Sequence, residues 1–308
     1  MDHIKIGVAH RGAGLSPVFS ALESGAFEKA GLKVELVSCP GHPAALEALY
    51  RGEVDFVNSV GPEVLLANRM HQGDAVVVAS AIGRSAQQVS ARPGIGSLQQ
   101  LKGARWGVIN RNDADECSIA MAFKRWGWSL AGDARIVAVG SARPRLEALL
   151  DESKVDAVIM HAPEPFQAAK RGWNVVSDLG QLDVAFQNSC AVTRRDTIRH
   201  QPEQVIRYVE AFCRGVWHFR TNALFGLHVL RKYTGETDDL VLKQTWVLFA
   251  RLMGGMMFPS VEGMRNAASV LEQLGVLHDP PSPFDCVYLG AVEALEARGF
   301  FADVMGAQ

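Results

Sequence analysis

The sequence predicts an α/β chain made of two similar lobes, with mainly parallel sheets joined by a two-segment hinge and a helical C-terminal region. Three observations predict it: a long internal repeat, short apolar strands alternating with helices, and a last third that is almost wholly helical in pattern. The repeat is direct. Residues 46–63 read LEALYRGEVDFVNSVGPE, and residues 146–164 read LEALLDESKVDAVIMHAPE. Leu46, Glu47, Ala48 and Leu49 recur 100 positions on as Leu146, Glu147, Ala148 and Leu149. After one inserted residue, Val54 and Asp55 recur as Val155 and Asp156, and Pro62 and Glu63 as Pro163 and Glu164. A period this long lies well outside the roughly 20–50 residues of a solenoid and describes a duplicated lobe.

Within the first lobe, IKIGVA at 4–9, KVELVS at 33–38, VDFVNS at 54–59 and AVVVAS at 75–80 are short apolar runs suited to strands. Helical patterns separate them, starting near 17, 43 and 62. Such alternation implies parallel sheets. The second lobe repeats the pattern with ARWGVI at 104–109, ARIVAVG at 134–140, KVDAVIM at 154–160 and GWNVVSDLG at 172–180. Pro93, Gly94 and Gly96 punctuate residues 83–103, which read as the crossing between lobes, and FQNSCAVTRRD at 186–196 reads as the return. The domains expected are therefore 1–85 with 195–308, and 86–194.

Beyond 202, Val205, Val209, Phe212 and Val216 form one helical stripe behind Pro202, a residue suited to a first turn. Further helices are expected over 222–233, 238–253, 262–275 and 285–298, and they would brace the lobes. The MGGMMFP run at 253–259 reads as packing with a glycine-permitted bend.

Composition narrows the function. A chain of 308 residues, 48% apolar and 21% charged, is an ordinary globular mixture. A formal net charge of −2 gives no general attraction to nucleic acid or anionic lipid, and no apolar run is long enough to span a bilayer. A small molecule becomes the default partner. The five cysteines are scattered, odd in number and without a C-x-x-C pair, which suggests neither a disulfide framework nor a cysteine metal site. No cofactor is expected. The opening MDHIKIGVAH has the features of a strand and not of a secretion signal, so the expected location is cytoplasmic, or periplasmic if a signal has been removed.

In open parallel sheets ligands sit beyond the carboxyl ends of the strands. The first such loop, His10 to Ser16, comes close to a dinucleotide fingerprint, but Pro17 stands where the third glycine of G-x-G-x-x-G is needed. Ser16 is instead suited to cap a helix that Pro17 begins. Pro43, Pro62 and Pro163 repeat this construction at three further loops, whose free N–H groups and positive helix ends suit an anionic or polar ligand.

Arg11 and Arg111, one in the first loop of each lobe, are candidates to clamp a carboxylate or sulfonate from both sides, with solvated rim charges as the bland alternative. His10, His42 and His161, with Cys39, Glu63 and Glu164 nearby, are residue types for metal binding or acid–base work, but no metal-ligand spacing accompanies them, so no metal is expected. Asn58, Ser59 and Asn110 offer neutral donors and acceptors at strand ends. Glu63 and Glu164 are equally explained by the helix dipole, and Cys39 by burial.

The order PVFSALESGAFEKAGLKVELV, ALEALYRGEVDFVNSVGPEVLLA, GDAVVVAS, SLQQLKGARWGV and HQPEQVIRYVEAF resembles the substrate-binding proteins of ABC importers. The likeness is to the branch that binds nitrate, sulfonates, taurine and thiamine-pyrimidine precursors, and it spans about residues 4–220. It implies the type 2 periplasmic-binding-protein fold and a partner permease. Ligand contacts would come from loops matching 10–16, 39–42, 58–61, 110–115 and 160–164, which adds Gly12 and Asp113 to the candidates. Enzymes on the same fold give the alternative, a lyase, decarboxylase or pyrimidine synthase acting on a small acid. The cysteine-rich run of the pyrimidine synthase is reduced here to Cys190, and the desulfinase nucleophile falls where this chain has glycine.

Overall fold

The computed structural model describes residues 1–71, 73–151 and 153–306. Among the described residues, ten strands form two five-stranded sheets. In chain order they are β1 (Asp2–Val8), β2 (Leu32–Ser38), β3 (Phe56–Ser59), β4 (Ala75–Ser80), β5 (Gln87–Ala91), β6 (Ala104–Val108), β7 (Ala134–Ala138), β8 (Ala157–His161), β9 (Asn174–Asp178) and β10 (Cys190–Arg194). The first sheet has the order β2-β1-β3-β10-β4 and the second β7-β6-β8-β5-β9. The duplication seen in the sequence thus reappears as one topology used twice. In the first sheet β1 runs parallel to β2 and β3, with Ile6 opposite Phe56; in the second, β6 runs parallel to β7 and β8, with Trp106 opposite Ala157.

Each sheet also contains one antiparallel strand next to the lobe crossing. β10 lies between β3 and β4, and β5 between β8 and β9. Two expectations are corrected here. The expected boundary leaves the return segment in the second lobe through residue 194, but Cys190–Arg194 pairs within the first sheet, Ala191 facing Asn58. The sequence of 83–103 suggests a crossing with a surface turn, yet Gln87–Ala91 is a fully buried interior strand. Its sequence, QQVSA, is polar at three of five positions, so no apolar period marked it. Gln87, Gln88 and Ser90 are nevertheless buried, and the Gln87 side chain belongs to a polar network at the crossing.

The two crossing segments brace each other. The Phe186 amide donates to the Gly83 carbonyl, the Asn188 amide to Ile82, and Arg84 bridges Ala185. The Gln187 side chain donates to the Ser80 hydroxyl at 2.8 Å and accepts from the Ser260 amide at 2.7 Å, tying the return segment to the helical region.

Apolar side chains cover both faces of each sheet. On one face of the first, the long helix Pro202–Thr221 buries Val205, Val209, Phe212 and Val216 completely, as its stripe predicts. On the other face, helices His42–Tyr50, Gly61–Met70 and Val261–Gln273 pack with Val57, Val77 and Val192. Cys117 and Met121 join that first-lobe core, although their helix, Ala114–Trp126, packs Ile119 and Phe123 into the second lobe. This helix is shared between the lobes. The helical region otherwise follows expectation, with Ala223–Thr234, Asp239–Leu252 and Val261–Gln273, while the last segment is a short 3-10 turn and a helix at Gly290–Ala297. The 253–259 run packs as expected, with Met253 and Met257 buried and positive φ at Gly254, Gly255 and Met257.

Candidate functional site

The carboxyl ends of β1 and β2 bring His10 and His42 together, ring centroids 5.3 Å apart and nearly perpendicular. His10 is held by its own loop. The Gly12 amide donates to its Nδ1 at 2.9 Å, and a Cβ at position 12 would stand 2.6 Å from that nitrogen, so only glycine lets the ring fold back. His10 is open to water on one side and walled by protein on the others. Desolvation, then the neighbouring His42, His161 and Arg145, lower its pKa to about 3. His42 is more enclosed, and desolvation, followed by His161, lowers it to about 4. Both imidazoles are therefore neutral at physiological pH.

The second lobe faces them with a charged cluster. His161, the last residue of β8, places Nε2 2.8 Å from Asp115 Oδ1. Arg145, in the first turn of the helix Ala142–Leu150, reaches Asp115 Oδ2 at 3.2 Å, the Ile159 carbonyl at 3.1 Å and Glu164 Oε2 at 2.7 Å. Gln87 adds a longer contact to Asp115 at 3.4 Å. One guanidinium thus balances two carboxylates away from water, which is how buried charges are tolerated. His161 and Arg145 hold the Asp115 carboxyl below its ordinary value against strong desolvation; desolvation pushes Glu164 upward.

Between the lobes, Glu63 in the first turn of the helix Gly61–Met70 faces Asp113 and Asp115. Burial, then those two carboxylates, push its pKa up to about 7. Asp113 caps the shared helix, accepting from the Asp115 and Glu116 amides at 3.0 and 3.1 Å. Burial and the Asp115 charge raise it as well. Helix-dipole stabilisation alone, the plain reading of Glu63, misses this confrontation across the cleft. Among the described residues no three His, Cys, Asp or Glu side chains converge as a metal site.

The remaining candidates are placed as follows. Arg111 is bidentate to the buried Glu116, both contacts at 3.0 Å, which fixes its guanidinium on the second lobe. Arg11 is exposed, and its charge is felt by Tyr233, whose hydroxyl donates to Glu23 on the first lobe. Ser16 does not cap its helix: it is already helical, with Leu15 in the cap position, and its hydroxyl donates to the Ala13 carbonyl at 2.7 Å. Pro17, Pro43 and Pro62 stand in first turns as expected, whereas Pro163 precedes its helix and Pro165 takes that place. Cys39 is buried, its thiol pKa raised by desolvation. Asn58 contacts Ser189 at 3.4 Å, Ser59 is fully buried beside β10, and the Asn110 amide donates to Asp113 at 2.8 Å.

Sequence reasoning missed Arg145 and Gln87, and reached Asp115 only as the last position of the 110–115 loop. The one available signal was a cation in the first turn of a helix, where the dipole disfavours it unless carboxylates are near.

A family model described as NMT1/THI5 like matches residues 13–222. The chain belongs to the NMT1/THI5-like family. A search of curated protein sequences gives no significant match. Among solved structures, this NMT1/THI5-like protein is similar to a zinc-bound ligand-binding component of an ABC-type import system from Staphylococcus aureus. The TM-score is 0.77 and the identity 14%, over 95% of this chain and 98% of that one. It is similar to the alkanesulfonate-binding protein SsuA from Xanthomonas axonopodis pv. citri, bound to MOPS, with TM-score 0.75 and 15% identity over 93% and 98% of the two chains. A cysteine-to-serine mutant of DSZB in complex with biphenyl-2-sulfinic acid matches with TM-score 0.70 and 15% identity over 96% and 99% of the two chains. The two-lobed architecture is the periplasmic-binding-protein fold, and no described helix is long and apolar enough to cross a membrane.

Proposed function

We propose that the chain is a solute-binding protein of an ABC-type uptake system that closes its two lobes on a small polar organic molecule, by preference an anion. What supports this reading is the pairing of His10 with His42 on one lobe and the Asp115–His161–Arg145–Glu164 cluster on the other, close enough that the charges of His161 and Arg145 act on His10 and that of His161 on His42. A ligand touching both walls favours the closed arrangement by its differential contacts. The sulfonate-binding neighbours support the ligand class, and the uptake role implies a permease partner and a location outside the cytoplasmic membrane.

A second reading, an enzyme acting on a small acid, is favoured by the Asp115–His161 pair, which has the spacing of an oriented acid–base group. Native mass spectrometry of freshly purified protein tests both. A co-purified small molecule that is retained unchanged on prolonged incubation supports binding. A molecule converted to product overturns it in favour of catalysis.

A further inference from the structure

The lobes touch along two seams, and the second sheet lies between them. Along β8, Ala157 and Ile159 share a core with Ile119 and Phe123 of the shared helix Ala114–Trp126, whereas Val158 and Met160 share one with Ala168 of the helix Glu164–Ala169. Successive strand residues point to opposite faces, so the two helices lie on opposite sides of that sheet. Each meets the first lobe. The shared helix sends Cys117 and Met121, 0% and 8% exposed, into the core built by Val64 and Leu65 of Gly61–Met70 and by Met264 and Ala267 of Val261–Gln273. The helix Glu164–Ala169 packs instead on Asp239–Leu252. Ala162 and the half-buried Phe166 join the core of Leu248 and Leu252 there, flanked by the pairs Lys170 with Asp238, Arg251 with Asp178 and Gln167 with Glu236.

The two seams resist parting unequally. Separating the shared helix from the first lobe bares apolar side chains to water, which is unfavourable in proportion to their area. The facing carboxylates Glu63, Asp113 and Asp115 are confined to the first turns of their helices, and the apolar contact continues beyond them along the shared helix. The outer seam instead exchanges half-exposed ion pairs for hydration, at little net cost. We propose that the cleft opens on one side only. The shared helix is the pivot, held to both lobes in the open and closed states, and the seam between Glu164–Ala169 and Asp239–Leu252 is the gate through which a small molecule enters and leaves. The proposal rests on the reading of the lobes as a pair that closes on a ligand and goes further by fixing the edge at which they part.

Spin-label distance measurements on the full ligand-free chain test it. All five native cysteines are buried, so labels go on exposed positions introduced in pairs. Arg171→Cys with Lys243→Cys reports on the gate, and Lys124→Cys with Ser269→Cys on the pivot. Each pair is measured with and without the unlatching substitutions Lys170→Ala and Arg251→Ala. Unlatching is expected to lengthen the gate distance by about 5 Å or more, while the pivot distance moves by no more than about 1–2 Å, the slide of one packed helix on another. A pivot distance that lengthens as much as the gate distance overturns the proposal and leaves lobe closure standing. No change in either distance also overturns it; only a protein that in addition retains no ligand in native mass spectrometry brings the solute-binding reading down with it. Thiol labelling mapped by mass spectrometry gives a second readout without spin labels: Cys117 in the unlatched chain must react within about twofold of its wild-type rate. A faster reaction means that the shared helix leaves the first lobe, and it overturns the proposal.

Discussion

Arg145 and Asp115 meet at 3.2 Å with 3% and 1% of their side chains exposed, and Arg145 is also held by Glu164 at 2.7 Å. Removing the cation leaves two carboxylates without a counter-charge where water cannot replace it. Arg145→Leu is expected to cost about 3–5 kcal/mol, read as a lowered urea midpoint, and Arg145→Lys to recover only part, since an ammonium lacks the planar fork that reaches both acids.

Gly215 has no room for a side chain. A Cβ there would lie 2.5 Å from the Ala21 amide nitrogen and 2.7 Å from the Pro17 carbonyl, backbone atoms of the helix Ser16–Glu23. Gly215→Ala must push that helix away, at an expected cost of about 1–3 kcal/mol in thermal unfolding. It should also weaken binding, because the same helix anchors the His10 loop.

His42 and Glu63 predict opposite pH dependences. Burial lowers His42 from 6.5 to about 4, so its contribution to stability is present above pH 6.5 and is lost as pH falls toward 4, where the unfolded chain takes up the proton first. His42→Phe should flatten that acid limb, by roughly 2–3 kcal/mol at pH 4. Glu63 is raised from 4.5 to about 7, so its contribution is present below pH 4.5 and is lost as pH rises through 7. Glu63→Gln should therefore gain stability on the wild type at pH 8 and match it at pH 4. Denaturation series across pH check both.

The second lobe is also tied to the C-terminal helices outside the cleft. Lys170 pairs with Asp238, Arg251 with Asp178 at 2.6 Å, and the Gln167 amide donates to Glu236. Lys170 and Arg251 are about half exposed, 49% and 52%, so each pair is worth only about 0–1 kcal/mol. Lys170→Ala with Arg251→Ala should leave the melting temperature nearly unchanged. The expected effect is a shift of the lobe equilibrium toward open, visible as a larger radius of gyration in X-ray scattering of ligand-free protein.

Much of the fold was legible because the apolar period is strong where it matters. The repeat at Leu46–Leu49 and Leu146–Leu149 announced two copies of one unit, and the Val205–Val216 stripe announced the long helix. What escaped was polar and non-local. Gln87–Ala91 is a buried strand in which Gln87 bonds Ser85 and Asp115 and Gln88 and Ser90 are buried too, so its burial leaves no hydrophobic trace. The three loop histidines could be placed at strand ends, but Arg145 lies inside a helix that the repeat had already explained. Arg111 shows another partner that the loop sequence did not announce: it pairs with Glu116, an acid five residues on.

The interior position of β10 has a consequence for biosynthesis. On a ribosome β3 and β4 emerge early, but the strand that must slot between them is not translated until the whole second lobe has been made. Until then the nascent half-protein holds a gap with two unpaired edges, the kind of surface that invites chaperones or wrong neighbours. Vectorial synthesis therefore favours a folding order in which the inserted domain matures first and its host closes around the late-arriving strand.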